Sequence, residues 1–212
     1  ILVSGGGVAG LTAAAVFGSA GFSVLCVDPA APITARDAEG SDLRTTAFLQ
    51  PAQQLLDRAG LWDRLAPYAA SLQVMRIVDA GGKLPEPRIT KEFDAADISD
   101  KPFGWNLPNW LLRREMVAHL TDLHRVEFRA GVGVASLLTR ETHALVRLGD
   151  GSKIRCRLVI AADGRNSPVR EASGVAVKTT RYGQKALAFA VTHPIPHENV
   201  STEIHRSGGP FT

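Results

Sequence analysis

The sequence predicts an α/β fold: a doubly wound parallel sheet with an antiparallel β segment inserted into it. Three observations predict it. The chain opens on an apolar run, Ile1-Leu2-Val3, which passes through a glycine-rich turn into the alanine-rich stretch Leu11–Ala15. That is the pattern of a buried strand feeding a helix. A second strand pattern, Phe22–Val27, follows at the spacing of a βαβ unit. A third continuous apolar run, Leu158–Ala162, returns to the buried-strand pattern after a long and less regular middle section.

The first turn carries the chemistry. Gly5, Gly7 and Gly10 stand at GxGxxG spacing, with Val8 and Ala9 between the last two. In that geometry Gly5 allows the tight turn out of the strand, Gly7 lets the backbone approach a pyrophosphate, and Gly10 lets the helix pack close to the strand. The helix N-terminus offers unpaired N–H groups and a positive dipole end to phosphates. Asp28 closes the second strand about 20 residues further on, where an acidic side chain reaches ribose hydroxyls. Strand, glycines, helix, strand and acid in that order point to a Rossmann-like dinucleotide-binding unit. The alternative is a glycine-rich turn in some other βαβ unit.

Beyond Asp28, Pro29–Gly40 is rich in proline, alanine and charge and reads as loop. Asp42–Gln50 follows with no clear period. Its Arg44 reads as a solvated arginine near a helix start, or as a cation beside phosphates. Ala52, Leu55, Leu56 and Ala59 recur at helical spacing, with Gly60 placed to cap that helix and Leu61–Leu65 continuing as a short second one. Leu72–Asp79 alternates as a strand, Gly81-Gly82 reads as a turn, and Lys83–Arg88 carries two prolines that disfavour a central strand. Ile89–Phe93 reads as a returning strand. This section breaks the βαβ rhythm and is assigned to the antiparallel insertion. Phe103–Trp110 is aromatic and turn-rich, with Trp110 read as packing between subdomains. Leu111–Leu123, containing Arg113, reads as a helix. Val126–Phe128 and Val132–Val134 read as short strands. His143–Leu148 and Ser152–Cys156 form a hairpin pattern across Gly149-Asp150-Gly151. Leu158–Ala162 ends in Asp163-Gly164-Arg165, an acid and a glycine where open α/β sheets bind ligands. Ala186–Val191 and Val200–His205 read as the last strands.

Bulk composition narrows the classes. Hydrophobic residues make up 45% and charged residues 21% of the 212, which fits a globular protein with a sizeable core. The net charge of +3 and the lack of a basic run argue against nucleic acid. No stretch is long and apolar enough to span a bilayer as a helix. Cys26 and Cys156 both fall in strand patterns and read as buried thiols, consistent with a cytoplasmic setting. His193, His197 and His205 lack partners at metal spacing, so no metal site is assigned. The chain starts inside a strand without Met and ends on Gly-Gly-Pro-Phe-Thr, so a piece of a longer protein is expected.

With the glycine turn, Arg44 and the run Ala162–Arg170 in view, the sequence resembles the FAD-dependent aromatic hydroxylases, the class A flavoprotein monooxygenases. Gly60-Leu61-Trp62, Phe103-Gly104 ahead of Asn109, and the late Ala186–Val191 run are similar to the branch that hydroxylates polyprenyl phenols in ubiquinone biosynthesis. The resemblance runs the length of the chain, and the motif at Asp163 is its most specific part. It implies that Gly5, Gly7, Val8, Ala9 and Gly10 cradle the FAD pyrophosphate and that Asp28, where the family more often has Glu, holds the adenosine ribose. Arg44 matches an arginine near the FAD phosphates, Arg113 a flavin-contacting Gln or Arg, and Val134 a backbone contact to the adenine. Asp163 and Gly164 match the motif linked to FAD and NAD(P)H. A later Gly-Asp motif of the family has no counterpart before Thr212.

The resemblance implies a division into 1–70 and 105–175 as the FAD-binding part, with 71–104 and 176–212 as segments of a β-sheet substrate subdomain. It implies a reaction in which NAD(P)H reduces FAD and O2 supplies one oxygen to an aromatic ring, the other leaving as water. The expected partner is an aromatic small molecule, prenylated in the ubiquinone branch, and peripheral association with a membrane or biosynthetic complex fits that substrate. Residues 1–212 alone are expected to be inactive. No catalytic acid or base is assigned. Two other readings stay open: an FAD oxidoreductase acting on another aromatic or prenyl substrate, and a non-catalytic dinucleotide-binding fragment.

Overall fold

The computed structural model describes residues 1–81, 86–206 and 209–212. The expected turn at Gly82 and the segment 83–85 lie outside the described residues. The chain begins with β1 (Leu2–Ser4), α1 (Val8–Ser19) and β2 (Val24–Asp28). In α1 the buried residues Gly10, Leu11, Ala14 and Ala15 recur every three to four positions, so one face is turned inward. Residues 29–44 carry turns but no helix or strand. Then come β3 (Thr45–Leu49), α2 (Gln50–Arg58) and α3 (Trp62–Leu65). Gly60, at φ +73°, ends α2 as its spacing predicts, donating its N–H to the Asp57 carbonyl at 2.8 Å.

The middle section holds β4 (Ala70–Leu72), β5 (Val74–Asp79), β6 (Ile89–Asp94), β7 (Gly104–Pro108) and α4 (Asn109–Asp122). After it come β8 (Val126–Ala130), β9 (Val134–Thr139), β10 (Ala144–Leu148), β11 (Lys153–Cys156), β12 (Val159–Ala161), α5 (Pro168–Ala172) and β13 (Val200–His205). The strand expected at Val132–Val134 thus begins at Val134 and runs on to Thr139.

Four strands make a parallel sheet in the order β12-β1-β2-β8. Register decides its two faces. Val3 pairs with Cys26 and Ile160, and these residues face a core shared with α1 and α4, where Leu11, Ala14, Leu112, Met116 and Leu120 are buried. Leu2 pairs with Leu25 and Val159 and faces the opposite way, with Val27, onto Val146, Leu148 and Cys156. That second face is covered by the antiparallel sheet β11-β10-β9. The doubly wound expectation, with helices on both faces, therefore holds on one face only. The reason is visible in β10, where Ala144, Val146 and Leu148 are buried and the residues between them exposed, a period of two that gives one apolar face to lay on the parallel sheet.

The inserted segment is also differently built. β5 and β6 pair antiparallel, with Arg76 and Glu92 opposite each other and ion-paired at 2.6 Å. β13 joins β5 in parallel, so this sheet, in the order β13-β5-β6, is mixed. β3-β7-β4 forms a separate antiparallel sheet. β7 was expected as aromatic turn, yet it is the central strand. Its Gly104 lets Phe48 approach, since a Cβ there would lie 2.5 Å from the Phe48 carbonyl oxygen, and Pro108 stands at its last position, clear of the interior of the ladder. The strand expected at Ala186–Val191 is absent. Leu187 is 90% exposed and Phe189 69%, and no described strand lies beside them to take the backbone hydrogen bonds that a strand requires.

Candidate dinucleotide site

Three turns meet at the C-terminal ends of β1, β2 and β12. Gly5 leaves β1 at φ +115°, a conformation that side chains resist, and its N–H donates to the Val27 carbonyl at 2.8 Å. A Cβ on Gly5 would lie 2.2 Å from the Ala162 oxygen, and one on Gly10 would lie 1.8 Å from the Gly5 oxygen. Both glycines are therefore required by the protein's own packing. Gly7 differs. It caps α1 with no side-chain bond, and a Cβ there would meet nothing within 4 Å. The first amides of α1 have no acceptor within the helix, so Gly7, Val8 and Ala9 present an open edge of backbone donors. Gly6, which sequence reasoning passed over, is needed as well: a Cβ there would lie 2.9 Å from that of Asp28.

Asp28 is tied directly to this turn. Its Oδ2 accepts from the Gly6 N–H at 2.5 Å and its Oδ1 from the Ala30 N–H at 2.8 Å. The Asp28 carbonyl accepts from the Val132 N–H at 3.0 Å, and Gly133 packs on Pro29, which brings the start of β9 at Val134 to the end of β2. Below the turn, the Cys26 thiol faces the Gly5 carbonyl at 3.7 Å. Burial, with Asp28 adding to it, pushes that thiol up to about 12 and keeps it protonated.

On the other side of β1 lies the motif that follows β12. The Ala162 N–H donates to the Ser4 carbonyl at 2.7 Å, and Asp163 Oδ2 accepts from Ser4 Oγ at 3.4 Å and from the Val169 N–H at 3.2 Å. Asp163 Oδ1 is buried without a partner. Gly164 follows at φ +84°. Strand neighbours lie on either side of β1, β2 to one side and β12 to the other, which defines the crevice where open α/β sheets take ligands.

Arg44 and Arg113 form a second cluster around a residue that the sequence did not single out. Arg44 Nε donates to Asp42 Oδ1 and Arg44 Nη2 to Asp42 Oδ2, each at 2.8 Å. Asn109 Nδ2 donates to Asp42 Oδ2 at 2.9 Å, and Arg113 Nη2 stands 3.8 Å from that oxygen. Thr46 Oγ1 donates to Asn109 Oδ1 at 2.6 Å, and the Asn109 N–H to the Arg44 carbonyl at 2.9 Å. The Arg44 guanidinium, then the Asn109 amide, hold the Asp42 carboxyl well below the usual carboxylate range against the opposing effect of burial. The Asp-x-Arg spacing was the available signal for Asp42. Among the described residues no hydrogen bond or ion pair joins this cluster to the glycine turn; α1 and α4 share one core. Two cavities of about 400 and 390 Å³ are lined by none of these residues except Val169's neighbourhood after Asp163.

The residues of the crevice fit a dinucleotide: an uncovered backbone cradle at Gly7, unpaired helix amides behind it, an acid beside each flank, and a buried carboxylate oxygen with bonding capacity to spare. That defines the class as an α/β dinucleotide-binding protein. Residues 1–209 match the family described as FAD binding domain, and the chain belongs to it. Over 211 residues the chain is 34% identical to the ubiquinone hydroxylase UbiL of Rhodospirillum rubrum, covering 100% of this chain and 48% of that protein. Over 199 residues it is 28% identical to the 3-demethoxyubiquinol 3-hydroxylase of Escherichia coli, covering 90% and 48%. The crystal structure of the p-nitrophenol 4-monooxygenase PnpA from Pseudomonas putida superposes with a TM-score of 0.67 at 26% identity, over 82% of this chain and 42% of that one. The chain thus spans about half the length of the curated relatives it matches, and those relatives are flavin-dependent hydroxylases and monooxygenases.

Proposed function

We propose that this chain is the FAD-binding part of an NAD(P)H-dependent monooxygenase that hydroxylates an aromatic ring, with a polyprenylated phenol of ubiquinone biosynthesis as substrate. The observation that carries the reading is the meeting of the Gly5–Gly10 turn with Asp163 across β1 and β12, with Gly7 open between them. The named activities of the ubiquinone hydroxylase relatives support the substrate class.

In this reading the amides of Gly7, Val8 and Ala9 bind the pyrophosphate, and Asp28 shares its carboxylate between Gly6 and a ribose hydroxyl. The Val134 backbone lies beside the adenine. Arg44 and Arg113 contribute positive charge toward phosphate and flavin, and Asp163 with Gly164 borders the flavin and the pyridine nucleotide. Residues 71–104 and 176–212 contribute to the substrate side. Bound FAD supplies the electron transfer and oxygen chemistry; the chain's own residues bind it, orient it and exclude water from it. An exposed apolar segment around Leu187 and Phe189 fits peripheral contact with a membrane or a partner.

The test begins with the absorbance spectrum of the purified intact protein after desalting. Retained flavin bands support the reading, and a protein that refuses added FAD overturns it. The substrate is then tested by NADPH-dependent incorporation of labelled oxygen into phenols with and without a prenyl tail. Turnover of the tailed phenol alone supports the ubiquinone assignment. Equal turnover of an untailed phenol favours the second reading, a hydroxylase of a simple aromatic, for which the likeness to PnpA speaks.

A further inference from the structure

We propose that Asp42 is a positioning residue of the cofactor site, holding Arg44 and Arg113 as a pair whose free edges face the cofactor phosphates together. The inference rests on the reading of Arg44 as a phosphate contact.

The geometry of the grip carries it. A guanidinium has five N–H donors in one plane. Asp42 takes the Nε–H and one Nη2–H of Arg44, both at 2.8 Å, a side-on bidentate pair. The end edge of Arg44, formed by Nη1 and the remaining Nη2–H, keeps three donors, and the side chain is 62% exposed. An arginine held this way is fixed along its length and open at its tip. The same carboxylate attracts Arg113 at 3.8 Å, from one turn inside α4. One carboxylate against two guanidiniums leaves a net charge of +1, so the cluster attracts an anion although an anion stands at its centre.

Asp42 is itself fixed. Its side chain is only 15% exposed, Asn109 Nδ2 donates to it at 2.9 Å, and Asn109 is in turn held by Thr46. The chain Thr46–Asn109–Asp42–Arg44 links β3 to the first residue of α4, both rigid elements. A flexible arginine would lose rotamer entropy on binding a phosphate; one already gripped loses less. Asp42 therefore favours anion binding by preorganisation while opposing it slightly by charge.

The experiment measures the FAD dissociation constant by fluorescence, and the apo-protein Tm, for intact wild type, Arg44→Ala, Asp42→Ala, Asp42→Asn and the double variant Asp42→Ala/Arg44→Ala. Arg44→Ala is expected to weaken FAD binding about tenfold, the loss of one charge-assisted hydrogen bond. Asp42→Ala should weaken it by a similar factor, and Asp42→Asn, which keeps an acceptor oxygen, by about threefold. In the Arg44→Ala background Asp42→Ala should change affinity by less than about twofold, because the group it positions is gone. A purely structural Asp42 would lower Tm and affinity equally in both backgrounds, and that result overturns the inference. Unchanged or tighter FAD binding in Asp42→Ala and Asp42→Asn also overturns it. If Arg44→Ala leaves FAD affinity unchanged, the reading of Arg44 falls and the inference falls with it; if Arg44→Ala weakens binding and the Asp42 variants do not, the inference falls alone.

Discussion

Adding one methyl group to each glycine of the first turn separates roles that the GxGxxG spacing lumps together. At Gly10 the methyl strikes the Gly5 oxygen at 1.8 Å, and at Gly7 it strikes nothing. Gly10→Ala is expected to destabilise the fold by about 3 kcal/mol, measured by urea denaturation. Gly7→Val should leave the apo-protein Tm unchanged and abolish FAD binding, because only a ligand's close approach needs the missing side chain. Unchanged FAD affinity in that variant would remove the turn from the site. Asp42 offers a second test at this scale. Its carboxyl is depressed in the folded protein, first by Arg44, so its contribution is fully present above the ordinary carboxylate value of about 3.9 and is lost as pH falls below it. The stability gap between wild type and Asp42→Asn should be widest near neutral pH and close from about pH 4 downward. Gly5, Gly7, Gly10, Asp28 and Asp163 were legible as candidates because backbone geometry limits what can stand there. Asp42 was not, because an acid two residues before an arginine is common on solvated surfaces.

Elements with a strong internal period were legible. The parallel strands read as apolar runs and α2 as a helix with its glycine cap, and the hairpin of β10 and β11 read from its alternation and its Gly-Asp-Gly turn. α4 owes its place to packing: Leu112, Met116 and Leu120 are buried against α1 and the parallel sheet. Leu112→Ala should cost about 3 kcal/mol in urea unfolding, the transfer and cavity cost of a fully buried leucine. Where prediction missed, the pattern was weak or misleading. β3 buries only Phe48 among its five residues, so it shows no period. β7 carries Gly104, Asn106 and Pro108, residues typical of turns, and is a strand because β3 and β4 flank it on both sides. Ala186–Val191 has strand-like composition and no partner in this chain, and composition alone does not make a strand.

For the whole molecule the decisive feature is a parallel sheet with unlike faces, helices on one and an antiparallel sheet on the other. The site sits at one end of that sandwich, between β1 and β12. A ligand that binds only the folded crevice stabilises the entire sheet, so FAD at 100 times its dissociation constant should add about 2.7 kcal/mol to the stability of the intact protein, seen as a concentration-dependent rise in Tm. A Tm indifferent to FAD, with ADP tested in parallel, would place the cofactor elsewhere.

The sequence by itself determined the dinucleotide turn, its acid at Asp28 and the second motif at Asp163. Each is a short-range requirement, a tight turn, a close approach or a polar group at a strand end, that few residue types satisfy. Only the tertiary structure decided that Gly5 touches Ala162, that an antiparallel sheet replaces helices on the second face, and that Asp42 gathers Arg44 and Arg113. Those facts depend on which strands become neighbours, and neighbours distant in the chain are chosen by the packing of apolar faces over the whole molecule rather than by any local pattern.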